Sequence, residues 1–210
     1  MDTAFERVLA RFNDRAAAEQ AEWDNTPPEI LFARRDEFLL HVGSEVAEFL
    51  LSLAAARGAR RIVELGTSYG YSTLFLAEAA RRTGGRLATY ELDEAKQSYA
   101  RAQIEEAGLG TFVEWRCGDA VELLASEEAG VDFVLIDLWK ELYVPCFEAL
   151  YPKLDDNAVI AADNMLFPEM ARADAEAYRA AVRSKPDLQT VLLPIGSGIE
   201  LSCLWRSRPA

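Results

Sequence analysis

Between Arg61 and Thr73 the chain reads Arg-Ile-Val-Glu-Leu-Gly-Thr-Ser-Tyr-Gly-Tyr-Ser-Thr. The β-branched residues Ile62 and Val63 favour an extended strand. Gly66 and Gly70 punctuate a turn, and Leu74, Phe75, Leu76, Ala77 and Ala80 continue as an apolar, helix-periodic segment. Strand, glycine turn, helix is the unit with which a doubly wound sheet builds the floor of a ligand site. Glycines let backbone come close to a ligand, and the N–H groups that open a helix attract an anion. Gly66 and Gly70 are therefore expected to make room for a bound tail.

Three ligand readings compete for this turn. A dinucleotide fingerprint requires G-x-G-x-x-G, whereas the spacing here is G-x-x-x-G. A phosphate-binding P-loop requires Gly-Lys-Ser/Thr, which is absent. Gly66-Thr67-Ser68-Tyr69-Gly70 fits the G-x-S-x-G nucleophile elbow of a hydrolase, but that chemistry needs a histidine later in the chain. The single histidine, His41, precedes it. A serine without a base stays a poor nucleophile, so the hydrolase reading fails. Ser68 is left as a loop residue beside the ligand.

From Arg61 onward strand and helix patterns alternate. Strands are expected at 61–65, 86–91, 112–116, 132–137 and 157–162, with helices at 72–82, 94–107, 120–126 and 144–151. Such alternation implies a parallel sheet with right-handed crossovers. After a helix at about 169–184, two β-rich runs (Leu188–Pro194 and Ile199–Trp205) are separated only by Ile195-Gly-Ser-Gly198. A gap that short makes a hairpin, so the last strand runs antiparallel. The expected fold is α/β: a Rossmann-like, doubly wound, seven-stranded sheet with helices on both faces. Residues 1–58 read as a helical cap ahead of a core at 59–210. The cap holds a helix over 2–24, a break at Asn25-Thr26-Pro27-Pro28, an amphipathic segment 29–40, and a helix 45–57 with Ser44 as N-cap and Gly58 as terminator. Besides packing on the sheet, such a cap can serve as a lid.

At 210 residues the chain reads as one domain. A net charge of −13 disfavours nucleic acid and anionic membrane surfaces as partners. The three cysteines, Cys117, Cys146 and Cys203, show no C-x-x-C spacing and suit a reducing compartment. No signal peptide or membrane-length apolar run is evident, so a cytoplasmic location is expected.

Open α/β sheets bind ligands beyond the carboxyl ends of their strands. Polar residues at those ends are Glu64 and Gly66, Tyr90-Glu91, Gly118-Asp119, Asp137 with Lys140 after it, Asp163-Asn164, and Glu200 at the start of the last strand. Glu91 follows the glycine turn by the interval at which an acid can grip ribose hydroxyls. Asp137, Asp163 and Asn164 offer three oxygen ligands suited to a hard divalent cation such as Mg²⁺. Singly, each of these is commonly a turn former or helix cap. Three at successive strand ends with a lysine beside them point to a site.

These residues resemble the catechol O-methyltransferase family of S-adenosylmethionine-dependent methyltransferases. The resemblance runs from about residue 37 to the end. It is carried by Glu64-Leu-Gly-Thr-Ser-Tyr-Gly-Tyr-Ser72, Asp137-Leu-Trp-Lys-Glu-Leu-Tyr143, Ala162-Asp-Asn164 and Gly198-Ile-Glu200, with His41-Val-Gly43 where the family has N-V-G. The resemblance implies that Val42 and Ser72 hold the methionine end of S-adenosylmethionine, with Glu64 near its ammonium. Glu91 takes the ribose hydroxyls and Asp119-Ala120 the adenine edge, while Gly66, Tyr71, Leu92 and Asp137 also border the cofactor. It further implies that Asp137, Asp163 and Asn164 ligate Mg²⁺, that Lys140 is the general base, and that Glu200 accepts a hydrogen bond from the hydroxyl left unmethylated. The substrate, a phenolic small molecule with vicinal hydroxyls, would meet Lys140, Asn164, Glu200 and Phe38, the last in place of a family tryptophan. Leu138 replaces a family histidine. A monomer or homodimer is expected. Two other classes stand as alternatives: a nicotinamide-dependent oxidoreductase, opposed by the glycine spacing and the antiparallel strand, and a cofactor-binding protein without catalysis.

Overall fold

A computed structural model describes residues 3–206. Seven strands form one sheet in the order β3-β2-β1-β4-β5-β7-β6. They are β1 (Arg61–Leu65), β2 (Arg86–Glu91), β3 (Val113–Cys117), β4 (Val131–Ile136), β5 (Leu154–Ala162), β6 (Leu188–Leu193) and β7 (Ile199–Leu204). The first five are parallel to one another, and β7 is antiparallel to both β5 and β6. This is the expected Rossmann-like, doubly wound sheet with an antiparallel last strand. The strand order reverses between β1 and β4, which opens a crevice at their carboxyl ends.

Side chains alternate across the sheet with period two and fill two cores. Phe133 and Leu135 of β4 and Val159 and Ala161 of β5 face one side. That side is covered by α1 (Thr3–Asp24), α3 (Ser44–Arg57), α4 (Tyr71–Thr83) and α5 (Glu94–Glu106). Val134, Ile136, Ile160 and Ala162 face the other, under α6 (Ala120–Leu124), α7 (Tyr143–Leu150) and α8 (Arg172–Arg183). The N-terminal helices share the first core: Phe5, Val8 and Phe12 of α1 are buried there, with Phe5 edge-on to Phe75 at 5.5 Å between ring centroids.

Three local expectations are revised. The amphipathic segment 29–40 holds only a short helix, α2 (Pro28–Ala33), and a 3₁₀ turn at Arg35–Glu37. Side chains of α1 take its backbone groups instead: Arg15 donates to the Glu37 carbonyl at 3.0 Å and the Leu39 N–H donates to Glu19 at 2.6 Å. Ser44 is the first residue of α3, and Gly43, at φ 86°, occupies the cap without a capping side chain. Strand β5 begins three residues earlier than expected, at Leu154, through Asp155-Asp156-Asn157 with Asn157 at φ 63°.

Because α1 and the sheet share one core, Phe5→Ala should lower the unfolding free energy by about 3 kcal/mol. Urea unfolding followed by both tryptophan fluorescence and far-ultraviolet dichroism should remain one coincident transition. A separate early transition for the N-terminal helices would contradict a shared core.

Candidate active site

A cavity of about 510 Å³ opens at the carboxyl ends of β1, β2, β3 and β4. Backbone hydrogen bonds draw these ends together: Gly66 and Thr67 N–H donate to the Tyr90 carbonyl, Gly118 N–H to Glu91, Asp137 N–H to Leu65 and Asp163 N–H to Ile136. Gly66 has φ 103°, and a Cβ built on it would lie 2.1 Å from the Asp137 carbonyl oxygen. A Cβ on Gly70 would lie 2.8 Å from that of Ala100 in α5. On the side where a Cβ would stand, these glycines admit the protein's own backbone and helix packing. Gly66 still lines the cavity.

Glu91 lies on the cavity wall with its carboxylate aligned by three backbone donors, Ser68 N–H at 2.7 Å, Leu92 N–H at 2.9 Å and Asp93 N–H at 3.0 Å. Asp119 lines the far end with Ala120 and Leu92. One of its oxygens caps α6, accepting from Val121 N–H at 2.8 Å and Glu122 N–H at 3.1 Å. Val42, Tyr71, Ser72, Asp137 and Asn164 also line the cavity.

Glu64 does not line the cavity. It is completely buried beneath it and accepts hydrogen bonds from the hydroxyls of Ser72, Thr73 and Thr89, each at 2.6 Å. Burial pushes its carboxyl up to about 7 against the pull of those hydroxyls, with the nearby Asp137 adding to the rise. Its oxygens are committed to the turn that opens α4, so Asp137 is the acid facing the cavity there. Phe38 is also buried away from the cavity, edge-on to Trp23 at 5.4 Å. Trp139, Leu138, Leu142 and Leu40 form the apolar wall instead.

Beside the cavity, Asp163 is almost wholly buried and accepts from the Asn164 N–H at 2.6 Å. Burial raises the carboxyls of both Asp137 and Asp163 against the pull of Lys140, and the nearby Asp137 adds to the rise at Asp163. Asn164 has φ 54°, a conformation disfavoured for a non-glycine residue. Lys140 is buried; its Nζ donates to the Tyr143 hydroxyl and, at 3.2 Å, to Asn164 Oδ1. Burial lowers Lys140 to about 8, opposed by Asp137, Asp163 and Glu141. The Tyr143 hydroxyl in turn donates to the Asp163 carbonyl at 3.1 Å. Glu200 is separate from this group. It is fully buried against α8, bonded to Arg179 at 2.9 Å, Arg183 at 3.0 Å and Thr190 at 2.8 Å, and lies outside the cavity lining. Two arginines of α8 thus pair with its charge.

Sequence reasoning missed one ion pair at the cavity. Lys96 of α5 meets Asp36 at 2.8 Å, and the Tyr69 hydroxyl donates to the Asp36 carbonyl at 3.1 Å. Both Lys96 and Asp36 line the cavity. Sixty residues separate the pair, and no local pattern marks it.

Residues 32–204 match the family model described as O-methyltransferase. The chain belongs to the O-methyltransferase family. Its class is that of the S-adenosylmethionine-dependent O-methyltransferases. It is 35% identical over 131 residues to a catechol O-methyltransferase of Niastella koreensis, covering 60% of this chain and 59% of that protein. That match spans less than two thirds of the relative's length. A catechol O-methyltransferase of Mycobacterium tuberculosis is 34% identical over 148 residues, covering 68% of this chain and 67% of that protein. The solved O-methyltransferase of Bacillus cereus in complex with SAH superposes with a TM-score of 0.75 at 27% identity, over 97% of this chain and 91% of that one. Among the described residues no helix is long and apolar enough to cross a membrane.

The Glu64 cage makes a pH prediction. Its folded-state value of about 7 lies above the ordinary 4.5, so the folded protein holds a proton that the unfolded chain releases. Stability from this group is complete below about pH 4.5 and is lost as pH rises through 7, by about 3 kcal/mol. Glu64→Gln should therefore lose less stability than wild type between pH 5 and 8 in urea titrations. Parallel curves for the two proteins would refute the assignment.

Proposed function

We propose that the protein transfers the methyl group of S-adenosylmethionine to one hydroxyl of a vicinal diphenol or related small molecule, with Mg²⁺ or another hard divalent cation as cofactor. The observation that carries this reading is the juxtaposition of Asp137, Asp163, Asn164 and Lys140 beside the cavity.

The cavity suits the cofactor from end to end. Glu91 keeps acceptor capacity for two ribose hydroxyls, Asp119 and Ala120 border the adenine edge, and Val42, Tyr71 and Asp137 border the amino-acid tail. The metal reading survives a test of fit. Burial raises the proton affinity of both carboxylates, Asp137 adds to the rise at Asp163, and the Asn164 amide stands beside them. A divalent cation would relieve that repulsion, and oxygen-only donors suit Mg²⁺. Among the described residues no group of three His, Cys, Asp or Glu forms a site, so Asn164 is needed to complete the ligand set.

When bound, the cation supplies positive charge that favours a phenolate over a phenol whose free pKa is about 10. Lys140 takes the proton. Its amine is brought by burial to about 8, near enough to neutrality to accept and return a proton. Tyr143 and Asn164 hold that amine in place. Methyl transfer from sulfonium to oxygen is an in-line displacement, and the chain's contribution is to align donor and acceptor and to exclude water. Trp139, Leu138 and Leu142 provide the apolar surface for an aromatic ring.

With a catechol panel and mass-spectrometric product analysis, Lys140→Ala should lower kcat by about 10²-fold or more while leaving S-adenosylhomocysteine affinity within a few-fold. Equal loss of both would count against Lys140 as the base. Asp163→Ala should abolish Mg²⁺-dependent turnover yet retain cofactor binding by calorimetry. Full activity of that variant, or of wild type after chelation, would sink the metal role.

A further inference from the structure

Ser72, expected with Val42 at the methionine end of the cofactor, spends its hydroxyl proton on Glu64 at 2.6 Å. Lys96, the one lysine among the residues lining the cavity, is paired with Asp36, and no arginine lines it. These side chains are thus already engaged when a carboxylate enters the cavity.

His41, the single histidine of the chain, lines the cavity between Leu40 and Val42. The Gly43 N–H donates to its Nδ1 at 3.0 Å. A backbone amide nitrogen only donates, so Nδ1 carries the lone pair and the proton of the neutral ring sits on Nε2. The ring also stacks on Tyr71, with centroids 4.8 Å apart and planes 37° apart. Tyr71 is itself anchored by a hydrogen bond from its hydroxyl to Asn13 at 3.0 Å. Tautomer and plane are thus set by two different elements before any ligand arrives. Partial burial lowers the proton affinity of His41. Of the charged groups packed near it, Glu19 of α1 pulls the other way, but its carboxylate is engaged by Arg15 and the Leu39 N–H.

We propose that His41 binds the carboxylate of the cofactor's amino-acid tail through Nε2–H, with Gly43 and Tyr71 as the residues that position it. This rests on the cofactor reading above. It assigns a specific task to a side chain that stands where the resembling family has asparagine.

Two ligands separate the tail from the nucleoside: S-adenosylhomocysteine, which has the carboxylate, and 5′-methylthioadenosine, which lacks it. His41→Phe keeps an aromatic ring for Tyr71 and removes the donor. By calorimetry it should weaken S-adenosylhomocysteine about tenfold or more and leave methylthioadenosine within twofold, while His41→Asn should recover part of the loss. In ¹⁵N spectra of the wild-type imidazole, S-adenosylhomocysteine but not methylthioadenosine should move the protonated Nε2 resonance, with Nδ1 remaining an unprotonated acceptor. Equal weakening of both ligands, unchanged S-adenosylhomocysteine affinity, or identical spectra with the two ligands would overturn the inference. If His41→Phe does not fold, the wild-type spectra decide alone. Failure of wild type to bind S-adenosylhomocysteine at all would overturn the cofactor reading, and this inference with it.

Discussion

The passage of Gly66 against the Asp137 carbonyl, where a Cβ would stand only 2.1 Å away, sets the geometry on which the site depends. It lets the ends of β1 and β4 lie side by side just where the strand order reverses. From that point the glycine turn rises into α4, while Asp137 leads to Lys140 and the Trp139 wall. A side chain at 66 would force these two ends apart and separate the glycine turn from Asp137. Asp163 follows from the same register, since its N–H donates to Ile136 on the neighbouring strand.

Buried charge divides into two kinds around this crevice. Glu64 and Glu200 are both fully enclosed, yet each has its partners within the protein: three hydroxyls for Glu64, two arginines and a threonine for Glu200. Asp137 and Asp163 differ, because Lys140 is the cation that acts on both and Asp137 bears in turn on Asp163. Buried acids with raised proton affinity beside a cavity are candidate functional groups.

Most of the sheet was legible because its strands carry the two-sided apolar runs of a buried parallel sheet, and the short 194–198 gap permits only a hairpin. The start of β5 was hidden by Asp155-Asp156-Asn157, polar residues that read as a loop but pair as a strand edge. Acids at strand ends identified the position of the site, since strand direction alone brings those ends together. Which acid faces the cavity was not legible. Glu64 and Gly66 are two residues apart, yet one lies under the floor and the other on it. The pairing of Glu200 with Arg179 and Arg183, one helical turn apart, carries no local pattern, because it forms only once α8 has packed on the sheet. Phe38 packs edge-on to Trp23 of α1, a contact that no local pattern marks.

The segment from Arg35 to Gly43 touches both halves of the crevice. Arg35 lies 4.9 Å over the Trp139 ring, Asp36 is clasped by Lys96 and Tyr69, Ser68 donates to the Leu39 carbonyl at 3.2 Å, and Leu40 and His41 reach the cavity itself. One short strap therefore borders the apolar wall at Trp139 and the glycine turn at Ser68 at once, so a substitution that reshapes it reshapes both ends of the cavity.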